Sequence, residues 1–200
     1  MITIYLKQYN KIVREADIKL FDELGYDDIL WIDLLSPTIQ ERKAVENFME
    51  LNLLTRQQVE EIESTSKYSE TENAIFSNTN FFEPVSFIVS EGVLITTRNA
   101  EFRTFNEAAK RLQMNTRAYN TGYHLLISIL EVRIDADADL VENVAKQIAT
   151  LSKEISVDGE VDKRDITRIN SLQEQTMLIR ENIFDRQRIL SGIQRSERFP

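Results

Sequence analysis

The stretch Leu30-Trp31-Ile32-Asp33-Leu34-Leu35-Ser36-Pro37-Thr38 decides the fold of the first half of this chain. It begins as a nearly continuous apolar run, which is typical of a strand buried on both faces. Thr38 and Glu41 then form a capping box, in which each side chain bonds the backbone N–H of the other residue, so that a helix begins there. A buried strand that runs directly into a helix predicts an α/β fold.

Further strand and helix patterns surround this unit. Residues 2–6 alternate between apolar and polar side chains, as a half-buried strand does, and residues 11–14 can pair with them. Thr55 and Gln58 repeat the capping device and predict a second helix. Four more strands are predicted at 67–70, 74–82, 85–89 and 93–98. Residues 1–120 are therefore predicted to form an α/β/α sandwich with a mixed sheet.

From about residue 121 the periodicity becomes helical. Apolar residues recur every three or four positions on two long segments, which are separated by a break at residues 157–160 and restarted by the capping residue Asp162. Because so short a connection favours antiparallel neighbours, residues 121–200 are predicted to form a long antiparallel helical hairpin, packed on the first unit or extending from it. Residues 121–162 carry a net charge of −6 and residues 163–200 one of +3, so that the two helices attract each other.

Composition excludes several functions. The net charge of −9 disfavours nucleic-acid binding, because a phosphate backbone would be repelled. The chain has no cysteine and a single histidine, His124, which excludes thiolate and multi-histidine metal sites and makes an enzyme improbable. Glycine-rich phosphate loops are absent, so no organic cofactor is expected. No stretch approaches the ~20 apolar residues of a membrane helix, and the chain is expected to be soluble.

Several short motifs occur in a recognisable order. Trp31-Ile32-Asp33-Leu34 leads into a capped helix, and Ile62-Glu63 is followed by Lys67-Tyr68. The strand Val93-Leu94-Ile95-Thr96-Thr97-Arg98 precedes Phe102-Arg103-Thr104-Phe105. This order resembles the CorA family of divalent-cation transporters, whose corresponding strand also ends in Thr-x-Arg. The resemblance covers nearly the whole chain.

The resemblance implies both an architecture and a function. In that family this region is an α/β/α cytoplasmic domain, followed by two antiparallel acidic helices and a long stalk helix that enters the membrane. The pore signature Gly-Met-Asn is absent, since Gln113 precedes Met114-Asn115. The implied role is the ion-sensing domain of a transporter of Mg²⁺, Co²⁺, Ni²⁺ or Zn²⁺, at the cytoplasmic face of the inner membrane. The full-length protein would be a homo-oligomer (a pentamer) attached to the membrane only through C-terminal helices, and this fragment a monomer or weak dimer.

Candidate metal ligands lie on the first long helix. Their spacings of four, four and three residues place four carboxylates along one face, where a hydrated Mg²⁺ would relieve their mutual repulsion: Glu131, Asp135, Asp139 and Glu142. The resemblance implies a regulatory ion at subunit contacts in this region, and Asp135 and Asp139 are the preferred ligands. Glu70 and Glu72, which flank a turn, are weaker candidates. The alternative is a solvated acidic surface with diffuse counterions.

Asp137 interrupts the apolar seam of the same helix, and an unpaired buried carboxylate is costly. In an antiparallel hairpin it faces the neighbourhood of Arg180 to Arg186, which predicts a structural ion pair rather than a metal site. The competing hypothesis for the whole chain is a soluble helical hairpin that docks a partner without any metal. A parent reading frame that continued into two hydrophobic segments around Gly-Met-Asn would favour the transporter.

Overall fold

The computed structural model describes residues 1–9, 11–54, 67–158 and 161–199, and a seven-stranded sheet lies at its centre. The strands have the spatial order β2-β1-β3-β7-β6-β5-β4. The β3–β7 pair is parallel and the other pairs are antiparallel, so the predicted mixed sheet is confirmed. The strands are β1 (Ile2–Gln8), β2 (Lys11–Glu15), β3 (Ile29–Leu35), β4 (Tyr68–Glu70), β5 (Ala74–Asn80), β6 (Pro84–Ser90) and β7 (Val93–Arg98).

Helix α1 (Ile39–Met49) covers one face of the sheet. The predicted capping box is present: the Glu41 N–H donates to Thr38 Oγ1 over 3.1 Å, and the Thr38 N–H donates to Glu41 Oε2 over 2.7 Å. Glu41 also accepts from the Ile2 N–H at 2.9 Å, which ties the start of β1 to the start of the helix. Val45 and Met49 are buried against this face. The second helix predicted from Thr55 lies outside the described residues.

The opposite face is covered by α2 (Arg103–Met114), the first part of α3 (Gly122–Asp158) and the last part of α4 (Lys163–Arg195). Trp31 and Phe87 of the sheet share this core with Phe105 of α2, Leu126 of α3 and Ile189 of α4. Helices therefore lie on both faces of the sheet, and the predicted α/β/α sandwich is confirmed.

Gly122 allows α3 to start directly against the sheet. Its N–H donates to the Gly92 carbonyl over 2.6 Å, and a Cβ at Gly122 would lie 2.3 Å from the backbone nitrogen of Leu94. No side chain fits in that space, so the glycine fixes how closely α3 approaches β7.

The long helices α3 and α4 form the predicted antiparallel hairpin. The Arg164 and Asp165 N–H groups donate to Asp162 Oδ1 over 2.7 and 2.9 Å, so the predicted cap of α4 is confirmed, while turn residues 159 and 160 are not described. A separate small core within the hairpin contains Val144, Leu151, Leu172 and Ile179. The 37 residues of α3 span about 55 Å at 1.5 Å per residue. The hairpin thus packs on the sheet at one end and extends beyond it at the other.

Candidate functional site

The motif residues Asp33 and Arg98 meet inside the sheet. Arg98 lies two residues beyond Thr96, which is opposite Asp33 in the parallel β3–β7 pair. Its Nε donates to Asp33 Oδ1 over 3.1 Å and its Nη2 to Asp33 Oδ2 over 2.7 Å. Thr96 Oγ1 donates to Asp33 Oδ1 over 2.7 Å and accepts from Trp31 Nε1 over 2.9 Å. Each of these groups is buried, and their mutual hydrogen bonds hold the parallel strands together.

The two preferred metal ligands, Asp135 and Asp139, lie on the exposed face of α3. The Asp135 side chain is 73% exposed, and its Oδ2 lies 3.8 Å from Nη2 of Arg111 on α2. A contact of this length at the surface leaves the carboxylate hydrated and available to a cation that keeps its own waters.

The outer members of the acidic face have separate surroundings. Glu142 accepts from Lys146 Nζ over 3.3 Å, one turn further along α3. Glu131 lines a shallow cavity of about 250 Å³ together with His124 and Phe199. Within residues 1–9, 11–54, 67–158 and 161–199, no group of three or more His, Asp or Glu side chains gathers in a way that would hold a metal ion.

Glu70 and Glu72, the weaker candidates, have different surroundings. Glu70 accepts from the Tyr68 hydroxyl over 2.5 Å, and its pKa lies below the ordinary value because the Ser196 hydroxyl and then the Tyr68 hydroxyl donate hydrogen bonds to its ionised form. Ser196 caps the end of α4, so Glu70 links β4 to the end of the hairpin. Glu72 is exposed in the turn that follows β4.

Asp137 lies between two guanidinium groups at the base of the hairpin. Arg133 Nη2 is 2.7 Å from Asp137 Oδ1, and Arg186 Nη2 contacts Asp137 Oδ2. Arg180, the other arginine expected near Asp137, is exposed instead, with its guanidinium 5.3 Å from the centroid of the Phe184 ring. The prediction for Arg180 is corrected: Arg180 lies six residues before Arg186, about one and two-thirds turns of α4, and therefore points away from the surface that α3 covers.

Burial dominates the electrostatics of this cluster. Desolvation raises the pKa of Asp137 above its ordinary value despite the two opposing guanidinium groups. It also lowers the pKa of Arg186 to about 10, and the charge of Asp137 offsets this only in part. Sequence reasoning missed Arg133, although its position four residues before Asp137 on the same helix is the usual spacing of an intrahelical ion pair.

The chain matches one known protein family over most of its length. The model of the CorA-like Mg²⁺ transporter protein family matches residues 26–199. The chain belongs to this family. It is 28% identical over 212 residues to the magnesium transport protein CorA of Wolinella succinogenes, with 99% of this chain and 66% of that protein covered. The protein of the same name from Salmonella typhimurium is 25% identical over 212 residues, with 100% of this chain and 66% of that protein covered.

Two solved structures have the same fold. The soluble domain of CorA from Methanocaldococcus jannaschii matches with a TM-score of 0.75 at 13% identity, covering 98% of this chain and 80% of that one. Full-length CmaX matches with a TM-score of 0.73 at 11% identity, covering 99% of this chain and 64% of that one. The chain thus spans about two thirds of the length of the curated CorA relatives. No helix in the described part of the chain is long and apolar enough to cross a membrane.

Proposed function

We propose that this chain is the cytoplasmic, ion-sensing part of a CorA-like transporter of Mg²⁺ or a related divalent cation such as Co²⁺. The observation that carries the proposal is the family match over residues 26–199, together with relatives named as magnesium transport proteins that align over nearly the whole chain. The metal's role in regulation rests in addition on the exposed carboxylates of α3.

The donor chemistry of α3 fits a hydrated Mg²⁺. Asp135 and Asp139 are one helical turn apart and exposed, so both carboxylates can accept hydrogen bonds from waters of the ion. One subunit supplies only part of the ligand set, so it holds the ion weakly by itself. The remaining ligands would come from a neighbouring subunit of a homo-oligomer, for which the pentamer implied by the CorA resemblance is our proposal.

Regulation follows from the charges of these faces. Acidic faces on adjacent subunits repel each other, and shared divalent cations remove that repulsion. Subunits held together in this way would favour a closed transporter, whereas subunits without the ions would move apart, which is a population shift between two states. This mechanism requires weak binding, so that the ion is lost when its concentration falls.

The test compares thermal unfolding of the chain in Mg²⁺ and in Na⁺ at matched ionic strength. A ligand that binds only the folded state adds RT ln(1 + [L]/Kd) to the free energy of unfolding, which is about 0.4 kcal/mol for a millimolar ion at a millimolar site. We expect a Mg²⁺ increment of this size in the wild type, and we expect the Asp135→Asn/Asp139→Asn variant to lose it.

The matched control is Asp22→Asn/Asp27→Asn, which removes the same charge from two exposed aspartates before β3. This control should keep the increment, because it leaves α3 unchanged. An increment that survives in the α3 variant would reject Asp135 and Asp139 as ligands. An increment that both variants lose would show general screening of negative charge rather than a site.

A further inference from the structure

A small cavity lies between α1 and the ends of strands β3 and β7. It has a volume of about 180 Å³ and is lined by Pro37, two residues beyond β3, and by Asn99, directly after β7. Ser36 connects the two strand ends, because its N–H donates to the Arg98 carbonyl over 2.8 Å and its Oγ to the Asn99 carbonyl over 3.3 Å. β3 and β7 are parallel, and ligands of α/β sheets bind in crevices outside the carboxyl ends of such strands. We call this space the strand-end cavity.

Two hydroxyl groups line the strand-end cavity on its sheet side. Ser86 of β6 and Thr97 of β7 are directly opposite each other in the antiparallel pair, so their side chains are neighbours on one face of the sheet. Ser86 is only 5% exposed. Within the described residues, neither hydroxyl forms a hydrogen bond. A buried hydroxyl without a hydrogen-bond partner destabilises a fold, so this pair indicates that a polar group can bind in the cavity.

Arg42 adds a cation to the cavity from the first half of α1. Its Nε donates to Glu46 Oε1 over 3.2 Å, and its Nη2 donates to the Leu53 carbonyl. Nη1 forms no hydrogen bond with the described part of the chain. Glu46 also accepts from the Leu53 N–H over 3.0 Å, so its carboxylate is held in place and balances the charge of Arg42. The guanidinium can therefore donate charge-assisted hydrogen bonds to a single negative charge, whereas a multiply charged anion would meet no excess of positive charge.

The remaining lining is apolar and comes from Pro37, Leu54 and Pro84. Drug-sized ligands occupy pockets of roughly 300–1,000 Å³, so a cavity of about 180 Å³ suits a molecule of only a few heavy atoms. A carboxylate accepts hydrogen bonds at two oxygens, which matches the guanidinium and the two hydroxyl groups. A short alkyl chain matches the proline and leucine side chains. The lining thus fits a ligand that is ionised at one end and apolar at the other.

We propose that the strand-end cavity binds a short aliphatic carboxylate of about two to four carbon atoms. Its carboxylate accepts hydrogen bonds from Arg42 Nη1 and from the hydroxyl groups of Ser86 and Thr97. Its alkyl part contacts Pro37 and Pro84. The site lies in the α/β unit, away from the acidic face of α3, so this proposal does not depend on metal binding or on transport.

Titration of the isotopically labelled chain, followed by two-dimensional NMR at neutral pH and constant ionic strength, tests the ligand class. Sodium acetate should shift the backbone amide signals of Ser86 and Thr97 and the side-chain amide signal of Asn99, and the shifts should saturate. Because the chain carries a net charge of −9, anions without a site are repelled and nonspecific shifts should be small. Acetamide has the same shape without the charge and should bind at least tenfold more weakly. Equal affinity for acetamide, or tighter binding of phosphate, would overturn the proposal.

Two variants and a matched control locate the site. Ser86→Ala/Thr97→Val removes both hydroxyl groups and should weaken acetate binding at least tenfold, because two hydrogen bonds to a charged group are lost. Ser90→Ala is the control: Ser90 is equally buried on the same strand, but its hydroxyl donates to the Asn73 carbonyl over 2.9 Å. The control should bind acetate as the wild type does. Unchanged binding by the double variant, or equal weakening by Ser90→Ala, would contradict the assignment.

Urea unfolding without acetate gives an independent readout. Ser86→Ala should leave the stability unchanged or raise it, because its hydroxyl has no hydrogen-bond partner to lose, whereas Ser90→Ala should lower the stability. A loss in Ser86→Ala as large as that in Ser90→Ala would show that the Ser86 hydroxyl is bonded within the chain. Its acceptor would then be the buried Oδ1 of Asn78, opposite Ser86 on β5, and the proposal would be overturned. The Mg²⁺ test on the aspartates of α3 is unaffected by either outcome.

Discussion

At the scale of single residues, two buried aspartates show that burial alone does not define a site. Asp33 accepts hydrogen bonds from Arg98 and Thr96, and its partners are bonded in turn. Asp137 contacts two arginines, and desolvation still raises its pKa. The hydrogen bonds around Asp33 stabilise the sheet, whereas Arg133 and Arg186 share the single carboxylate of Asp137.

Replacing Asp137 with alanine should be strongly destabilising. Asp137→Ala leaves Arg133 and Arg186 buried without a counter-charge, and we expect a loss of about 3–5 kcal/mol in the free energy of unfolding, measured by urea denaturation. The exposed Asp139→Ala on the same helix should change it by less than about 0.5 kcal/mol.

The triple variant Arg133→Met/Asp137→Leu/Arg186→Met separates the ion pairs from the packing. It removes all three buried charges and should recover most of the stability that Asp137→Ala loses, because desolvation offsets much of the attraction in such clusters. A triple variant that is less stable than Asp137→Ala would contradict this account.

A second prediction at this scale concerns Gly122. Gly122→Ala would place a Cβ 2.3 Å from the backbone nitrogen of Leu94, and a backbone atom cannot turn away as a side chain can. We expect a loss of about 1–3 kcal/mol in thermal or urea unfolding. Gly25→Ala is the control, since its nearest neighbour would lie at an ordinary contact distance of 3.7 Å. Equal stability of the two variants would show that α3 can shift without cost.

At the scale of elements, both apolar and polar contacts hold one end of the hairpin to the sheet. This end contains the start of α3 and the last part of α4. Ile189 and Ile193 of α4 share the core of the sheet, and Tyr123 packs edge-on against Phe199 with their ring centroids 5.1 Å apart. Glu70 on the edge strand β4 adds the polar contact, through its hydrogen bond with Ser196. These contacts fix the hairpin to the sheet at one end.

The contact of Glu70 predicts a pH dependence. Its pKa in the folded protein is lowered from the ordinary value of 4.5, so its contribution to stability is fully present above that pH and is lost as the pH falls through the lower folded value. The difference in free energy of unfolding between wild type and Glu70→Gln should therefore shrink in acid. Glu72→Gln, which removes the same charge from the neighbouring exposed turn, is the matched control. A difference that stays constant from neutral pH into this acid range would exclude the role of Glu70.

At the scale of the whole molecule, the negative net charge should oppose association between copies of the chain. The chain carries a net charge of −9, and the exposed face of α3 is acidic. Copies that meet through this face repel each other unless cations lie between them.

We therefore expect the chain to be a monomer or a weak dimer in the presence of a chelator. Sedimentation velocity across a range of protein concentrations measures this directly. A stable pentamer in chelator would contradict the prediction and would mean that contacts other than the α3 face hold the subunits together. Raising the salt concentration is the control, since it should weaken the repulsion without supplying divalent ions.

Local sequence patterns predicted those strands and helices whose signals lie in residues close together along the chain. The run around Trp31 predicted a buried strand, the capping box at Thr38 and the capping residue Asp162 predicted helix starts, and the heptad rows predicted the hairpin. These signals are local, because a capping bond or a helical period joins residues only a few positions apart. The order of short motifs also sufficed to recognise the CorA family.

The packing of the helices on the sheet determines which charged side chains pair and which apolar rows become buried. It gave Asp137 two arginines, left Arg180 at the surface, and covered only one of the two apolar rows on each long helix. Periodicity cannot supply this information, since the rotation of one helix against another depends on how both pack on the sheet.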